Sequence, residues 1–159
     1  MNSDQYAEYL VRTYSDDILR LSYTYLKNMQ DAQDVCQNIL LKLLTSPREF
    51  PDSRQEKAYI LKMTANSCKD VLRSPWRKRI CALDECAEMP APEPPESAVL
   101  DAVNDLPERY RTVIHLFYYC GYRADEIGHI LGIPTPTVHT RLARGRARLK
   151  DLLGGFDDE

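Results

Sequence analysis

Between Ala82 and Ser97 the chain carries four prolines, Pro90, Pro92, Pro94 and Pro95, with acids among them and no repeating apolar pattern. Such a stretch has little to bury and interrupts any helix, so it reads as an extended linker. It divides the 159 residues into two pieces, each of which has to build a core of its own. Both pieces show helical periodicity, and neither shows glycine-rich phosphate loops, internal repeats or strand-like alternation. The expected fold is therefore all-α: two small helical domains over residues 1–80 and 98–159, joined by an acidic, Pro-rich linker over residues 81–97.

In the first piece, Ala7, Leu10, Tyr14, Ile18, Leu21 and Tyr25 recur at spacings of three and four, which predicts a helix from Asp4 to Leu26 with Ser3 or Asp4 as its cap. A second helix from about Gln30 to Thr45 has a broad apolar stripe of Ala32, Val35, Cys36, Ile39, Leu40, Leu43 and Leu44, and Ser46-Pro47 stops it. The loop from Pro47 to Glu56 is polar apart from Phe50, a side chain equally suited to gripping a base and to anchoring the loop on the core. A third helix, from about Gln55 to Arg73, has two stripes offset by one residue. Ala58, Leu61, Ala65, Cys68 and Leu72 form an apolar face; Lys62, Asn66, Lys69 and Arg73 form a donor-rich face about 100° away. Trp76, Arg77, Lys78 and Arg79 extend the basic strip beyond Ser74-Pro75. A basic face with Asn and Trp beside it suits DNA, although a solvated helix face with a core Trp has the same spacing.

The second piece opens with a short helix from Ser97 to Asp105, followed after Leu106-Pro107 by a helix to about Tyr119 with Tyr110, Val113, Ile114 and Phe117 apolar. Its most telling stretch is Arg123 to Lys150. A helix from Ala124 to Leu131, apolar at Ile127, Ile130 and Leu131, ends at Gly132, a residue that tolerates a left-handed C-terminus. Thr135 is the expected cap of the next helix, with Pro136 in its first turn. Val138, Leu142, Leu149 and Leu152 mark the buried side of that helix. Arg141, Arg144 and Arg148, with Arg146 and Lys150 nearby, make the rest basic, and no acid lies between Thr135 and Lys150. A basic helix alone is often only solvated surface. The Gly-Ile-Pro turn joining it to a short helix adds the geometry of a helix-turn-helix, whose second helix enters the major groove of DNA.

Charge is segregated. The net charge of −3 argues against indiscriminate coating of DNA, yet Lys69 to Arg79 holds five bases and one acid while Ala82 to Glu108 holds eight acids and no base. The five cysteines, Cys36, Cys68, Cys81, Cys86 and Cys120, are scattered, and three lie in apolar helical patterns, as buried thiols would. Cys81 and Cys86 lack a second pair or a His at zinc-site spacing, so neither a metal nor another cofactor is expected. His115, His129 and His139 have no companions that would complete a nucleophile–base set, which argues against an enzyme. With no early signal-like run and no membrane-spanning stretch, the expected compartment is the cytoplasm.

Several short motifs resemble the sigma-70 factors of bacterial RNA polymerase, in the extracytoplasmic-function (ECF) group that keeps two sigma domains. Leu106-Pro107-Glu108-Arg109-Tyr110-Arg111 is similar to the family's "LPxxxR" helix. It is followed by Gly121, Glu126-Ile127, Leu131-Gly132, Thr137-Val138 and Arg141-Leu142 in the family's order. Asp31-Ala32, Asp34-Val35 and Gln37 resemble its "DAEDxxQ" helix, and Ala65-Asn66, Asp70 and Leu72-Arg73 its "ARNxxxDxxR" helix. The resemblance spans nearly everything except the linker, and it implies a region 2 bundle, a region 4 helix-turn-helix and a set of roles. Asp34, Gln37, Asn38 and Leu41 would dock on the clamp coiled coil of the polymerase β′ subunit. Lys62, Asn66, Lys69, Arg73 and Arg77 would bind the minus-10 promoter element and, with the Pro47 to Glu56 loop, help melt it. Thr137, His139, Thr140, Arg141 and Arg144 would read the minus-35 element, while this domain also rests on the β flap. The acidic linker would thread into the RNA path of the polymerase. An anti-sigma factor is a further partner expected from the resemblance.

The sequence departs from the family in three places. Arg123 stands where Ser or Thr commonly caps the first helix of the helix-turn-helix, so that helix is expected to fray; Pro136 replaces a frequent Gly, and His139 a frequent Lys. The rival reading is a stand-alone helix-turn-helix regulator, with an interaction scaffold as a third. The stripe from Lys62 to Arg73 favours an initiation factor, because a sensor domain has no need of a second DNA-binding face.

Overall fold

The computed structural model of the chain describes residues 2–74 and 102–153. Contacts divide it into two compact units, Met1–Ala91 and Pro92–Glu159. The expected linker over residues 81–97, together with Trp76, Arg77, Cys81, Cys86, Val99 and Leu100, lies outside the described residues. The described residues form helices joined by loops and turns, without a strand.

The first unit is a bundle of α1 (Ser3–Leu26), α2 (Met29–Thr45) and α3 (Ser53–Arg73), each packed on the other two. Leu10, Tyr14, Ile18, Leu21 and Tyr25 of α1 are buried as their spacing predicts, against Val35 and Ile39 of α2 and Leu61, Ala65 and Cys68 of α3 in the common core. Asn2, rather than Ser3 or Asp4, caps α1. Its Oδ1 accepts from the Gln5 N–H at 2.8 Å, and Gln5 Oε1 accepts from the Asn2 N–H at 3.1 Å. Asn28 and Asp52 cap α2 and α3 in the same manner, accepting from Asp31 N–H and Gln55 N–H, each at 2.9 Å. Between α1 and α2 the chain reverses in two residues, which forces Lys27 into a left-handed conformation at φ 53°. Tyr9 and Tyr14 both donate at 2.6 Å to one oxygen of Glu56, in the first turn of α3. Burial, then the bond to that carboxylate, pushes the Tyr14 hydroxyl well above its ordinary range.

In the second unit, residues 102–104 are helical and lead through Leu106-Pro107 into α4 (Glu108–Ile114). The buried Arg111 guanidinium donates to the Leu106 carbonyl at 2.6 Å, so the arginine of the "LPxxxR" motif closes the turn that starts its own helix. The regular helix expected to about Tyr119 stops at Ile114. His115–Tyr119 form a π-turn, in which the Cys120 N–H bonds back five residues to the His115 carbonyl at 3.1 Å. The wider turn shifts the register by one residue. Leu116 is buried in this segment, and the expected core residue Phe117 is only half-buried, while Tyr118 and Tyr119 are exposed.

Two helices complete this unit, α5 (Ala124–Leu131) and α6 (Thr135–Leu152). Ile127, Ile130 and Leu131 of α5 pack with Val138 and Leu142 of α6, as the apolar spacing indicates. Leu152 departs from expectation: it is 50% exposed, because an 18-residue helix outruns the short helices beneath it. Gly145 lets α6 approach α4 closely, since a Cβ there would lie 3.2 Å from the Ile114 side chain.

Candidate nucleic-acid interface

Geometry at the bend between α5 and α6 depends on backbone rather than on side-chain caps. Gly132 takes φ 74°, and the N–H groups of Gly132 and Ile133 both return to the Gly128 carbonyl, at 2.8 and 3.0 Å. Gly128 itself lies under the turn, where a Cβ would come within 2.7 Å of the Ile133 carbonyl oxygen. The sequence suggests Thr135 as the cap of α6, but Thr135 is already its first residue; Pro134, extended at ψ 148°, precedes it, and no side chain caps the helix. Two successive constraints explain this: Pro134 fixes its own φ, and its carbonyl accepts from Thr137 and Val138 at 3.0 and 3.1 Å. Nor is the start of α5 left to fray. Arg123 offers no acceptor, but Glu126 supplies the reciprocal half of a capping box by accepting the Arg123 N–H at 2.9 Å. The Arg123 guanidinium meets Asp125 at 3.2 Å and, through that bond first, holds its carboxyl below the usual carboxylate range.

At about 100° per residue, Thr137, Thr140, Arg141 and Arg144 fall on one side of α6, away from Val138 and Leu142. Thr140 and Arg144 are exposed, and Thr137 and Arg141 are half-buried. His139 is exposed too, but stands about half a turn from Arg141, on the flank that also bears Arg146 and Lys150. The cations of α6 therefore border its buried stripe on both sides instead of forming one basic face. Arg146 is held on its flank by the π-turn, donating to the Tyr118 hydroxyl at 2.9 Å. On the opposite flank Arg148 lies over the Tyr110 ring, 5.2 Å from the centroid. Arg109 of α4 covers the same ring at 4.6 Å. A bond from Arg109 first, then Arg144 and the charge of Arg148, hold the Tyr110 hydroxyl below its ordinary pKa.

The first unit carries a second donor-rich face. Lys62, Asn66, Lys69 and Arg73 share one side of α3; Asn66 and Arg73 are exposed and the two lysines half-buried. Arg73 pairs with Asp70 at 3.0 Å, an exposed contact that competes weakly with a phosphate. Arg77, which extends this face in the sequence, lies outside the described residues. In the loop before α3, Phe50 is half-buried with its ring 5.3 Å from that of Tyr59, and Arg48 covers both rings at 5.7 and 4.6 Å. Phe50 thus serves as an anchor on α3. Arg48 and Tyr59 carry no periodic signal that would single them out in the sequence, because the loop brings them together. On α2, Asp34, Gln37, Asn38 and Leu41 are all exposed and share a side. Its acid and its 58%-exposed leucine make this a poor surface for phosphate and a reasonable one for protein.

Chemically, the donor-rich side of α3 and the cations flanking α6 are of the kind that suits a polyanion, with amide and guanidinium donors that can meet phosphates or base edges. Among the described residues no cluster of three or more His, Cys, Asp or Glu side chains could hold a metal ion. Cys36 and Cys68 are buried and Cys120 is half-buried, all three outside any disulfide.

Comparison with known proteins gives these surfaces a family. Residues 10–78 match the family model described as "Sigma-70 region 2", and residues 96–149 match "Sigma-70, region 4". The ECF RNA polymerase sigma factor SigW of Bacillus subtilis is 30% identical, over 96% of this chain and 90% of that protein. SigE of Mycolicibacterium smegmatis, another ECF RNA polymerase sigma factor, is 31% identical over 94% of this chain, which spans only 62% of SigE. Among solved structures, the sigma factor RpoE bound to the anti-sigma factor NepR, from Bartonella quintana, has a TM-score of 0.71 at 20% identity, with 92% of this chain and 95% of that one covered. CnrH in complex with the cytosolic domain of CnrY gives 0.65 at 19%, covering 97% and 91%. At these identities the two structures speak for the fold alone. Region 2 ahead of region 4, and relatives matched over nearly all of this chain, do not favour a stand-alone regulator: the chain belongs to the extracytoplasmic-function group of the sigma-70 family of RNA polymerase sigma factors.

Proposed function

We propose that this protein binds core RNA polymerase in the cytoplasm, directs it to one class of promoters, and helps to open them without a catalytic group of its own. The observation that carries the reading is that regions 2 and 4, in that order, each place a donor-rich helix face beside a buried one. Three segments divide the work: residues 1–80 bind the polymerase and the minus-10 element, residues 81–97 form an acidic tether, and residues 98–159 bind the minus-35 element.

Lys62, Asn66, Lys69, Arg73 and Arg77 are assigned to minus-10 DNA. Opening requires a base to leave its stack, at a cost of about a few kcal/mol that stacking and pocket contacts offset. The exposed amide of Asn66 is suited to such a base, and the cations around it to the strand that carries it. Thr137, His139, Thr140, Arg141 and Arg144 are assigned to minus-35 DNA, with Arg141 as a base reader. Asp34, Gln37, Asn38 and Leu41 are assigned to the β′ clamp, and the second unit also to the β flap. An anti-sigma factor completes the set of partners, in keeping with the NepR complex of the structurally similar RpoE.

Reconstitution with core polymerase and transcription from a promoter library tests the reading directly. The expected result is a stoichiometric complex that initiates at a defined promoter class; a chain that binds DNA but never the polymerase would sink it. Asn66→Ala should slow promoter opening, read by permanganate reactivity of unpaired thymines, and leave the polymerase complex intact. Arg141→Ala should cost about 1 to 3 kcal/mol of promoter affinity and relax the preference at one minus-35 position.

A further inference from the structure

Arg109 projects from α4, outside the helix-turn-helix, yet its guanidinium carbon lies 4.6 Å from the centre of the Tyr110 ring. Its Nη2 is 3.5 Å from the Tyr110 hydroxyl, at the outer limit of a hydrogen bond. From α6, Arg148 approaches the same ring at 5.2 Å, and Arg144 acts on the same hydroxyl. Three exposed guanidiniums from two helices thus gather around one phenol that is itself 4% exposed. Among the described residues, none of the three forms a salt bridge with a carboxylate. Arginines in such numbers are usually interleaved with acids. Here two of them lie over the ring of one tyrosine and the third acts on its hydroxyl.

We propose that Arg109, Arg144 and Arg148, gathered by Tyr110, form a clamp for a backbone phosphate of duplex DNA, next to the groove that α6 enters. The proposal rests on the reading of α6 as the minus-35 helix and adds a contact from α4 to it. Arg144 and Arg148 lie on the same side of α6 as Thr137 and Arg141, one and two turns farther along. The start of a recognition helix reads bases, while its far end and neighbouring elements commonly hold the backbone. An arginine anchored on α4 would fix the angle at which α6 enters the groove, because α4 and α6 pack directly on each other. The clamp recognises a phosphodiester and no base, so its contribution is the same for every promoter sequence.

The test uses the full chain assembled with core RNA polymerase, bound to a promoter duplex chosen from the library and to versions altered in the minus-35 element, over a range of NaCl concentrations. Arg109→Ala should lower affinity about ten-fold near physiological salt, reduce the slope of log affinity against log salt by about one, and do so equally on every duplex. Arg109→Lys should recover most of the slope, since it restores the charge. If Arg109→Ala matches the parent protein in affinity and slope while Arg141→Ala is impaired, the clamp is wrong and the minus-35 reading stands. A loss with Arg109→Ala that varies with the minus-35 sequence also overturns the proposal, because Arg109 would then be reading a base. So does failure of that variant to assemble with the polymerase, which would assign Arg109 to a protein contact. If the assembled parent protein engages no promoter, the functional reading fails first and the clamp with it.

Discussion

In the first unit every described helix begins behind an Asx side chain, Asn2, Asn28 or Asp52, whereas α4, α5 and α6 begin behind Pro107, Arg123 and Pro134, none of which caps with its side chain. Turns differ in the same sense. The tight reversal in the first unit places a lysine in the left-handed region, while the second unit uses Gly121 and Gly132 there. Helices of 24, 17 and 21 residues can be started by single side chains, because each has a long buried face to hold it. Helices α4 and α5, of 7 and 8 residues, have little such face, so their directions are set by backbone conformation and by close approach at Gly128 and Gly145. The first unit should therefore be sensitive to core volume and caps, and the second to what is added at its glycines.

Amide hydrogen exchange of the full chain, followed separately in residues 3–74 and 102–153, can break this contrast. The largest effect is expected from Leu21→Ala, which empties a fully buried position of α1 and should destabilise the first unit by about 2 to 5 kcal/mol, leaving protection in the second unchanged. Gly128→Ala adds a single carbon 2.7 Å from a backbone oxygen that cannot swing away, and should destabilise the second unit by about 1 to 3 kcal/mol. A tolerated alanine there would mean that close backbone approach does not hold this unit together. Asp52→Ala should cost about 1 kcal/mol by leaving the Gln55 N–H without its cap. Arg123→Ala, at the corresponding position of α5, should leave protection of that helix unchanged because Glu126 does the capping; equal losses for the two would erase the distinction between the units. One further effect has the opposite sign. Lys27→Gly should stabilise the first unit by up to about 1 kcal/mol, the relief of a left-handed lysine exceeding the entropy lost by glycine.

Much of the candidate site was legible in the sequence because it follows from helical period alone. Once Leu61, Ala65 and Cys68 are read as buried, Lys62, Asn66 and Lys69 have to emerge one residue round the helix, and they do. The limits of α5 and its left-handed end at Gly132 were equally readable, since glycine is the residue that bears that conformation without strain. Periodicity does not register an inserted residue, and so the π-turn at His115–Tyr119 lay beyond it. Caps chosen by residue type alone were misplaced at Ser3 and Thr135, because where a helix starts depends on how the preceding turn is held.

What the sequence by itself determined is the set of helices, their buried sides and, through short motifs in a characteristic order, the family to which they belong. What only the tertiary structure decided is which separated residues meet: Tyr118 with Arg146, and Arg109 with Arg148 across one tyrosine ring. Those meetings depend on how α4, its π-turn and α6 pack. No local pattern encodes them, because the energy that selects them is released only when distant segments exclude water from each other.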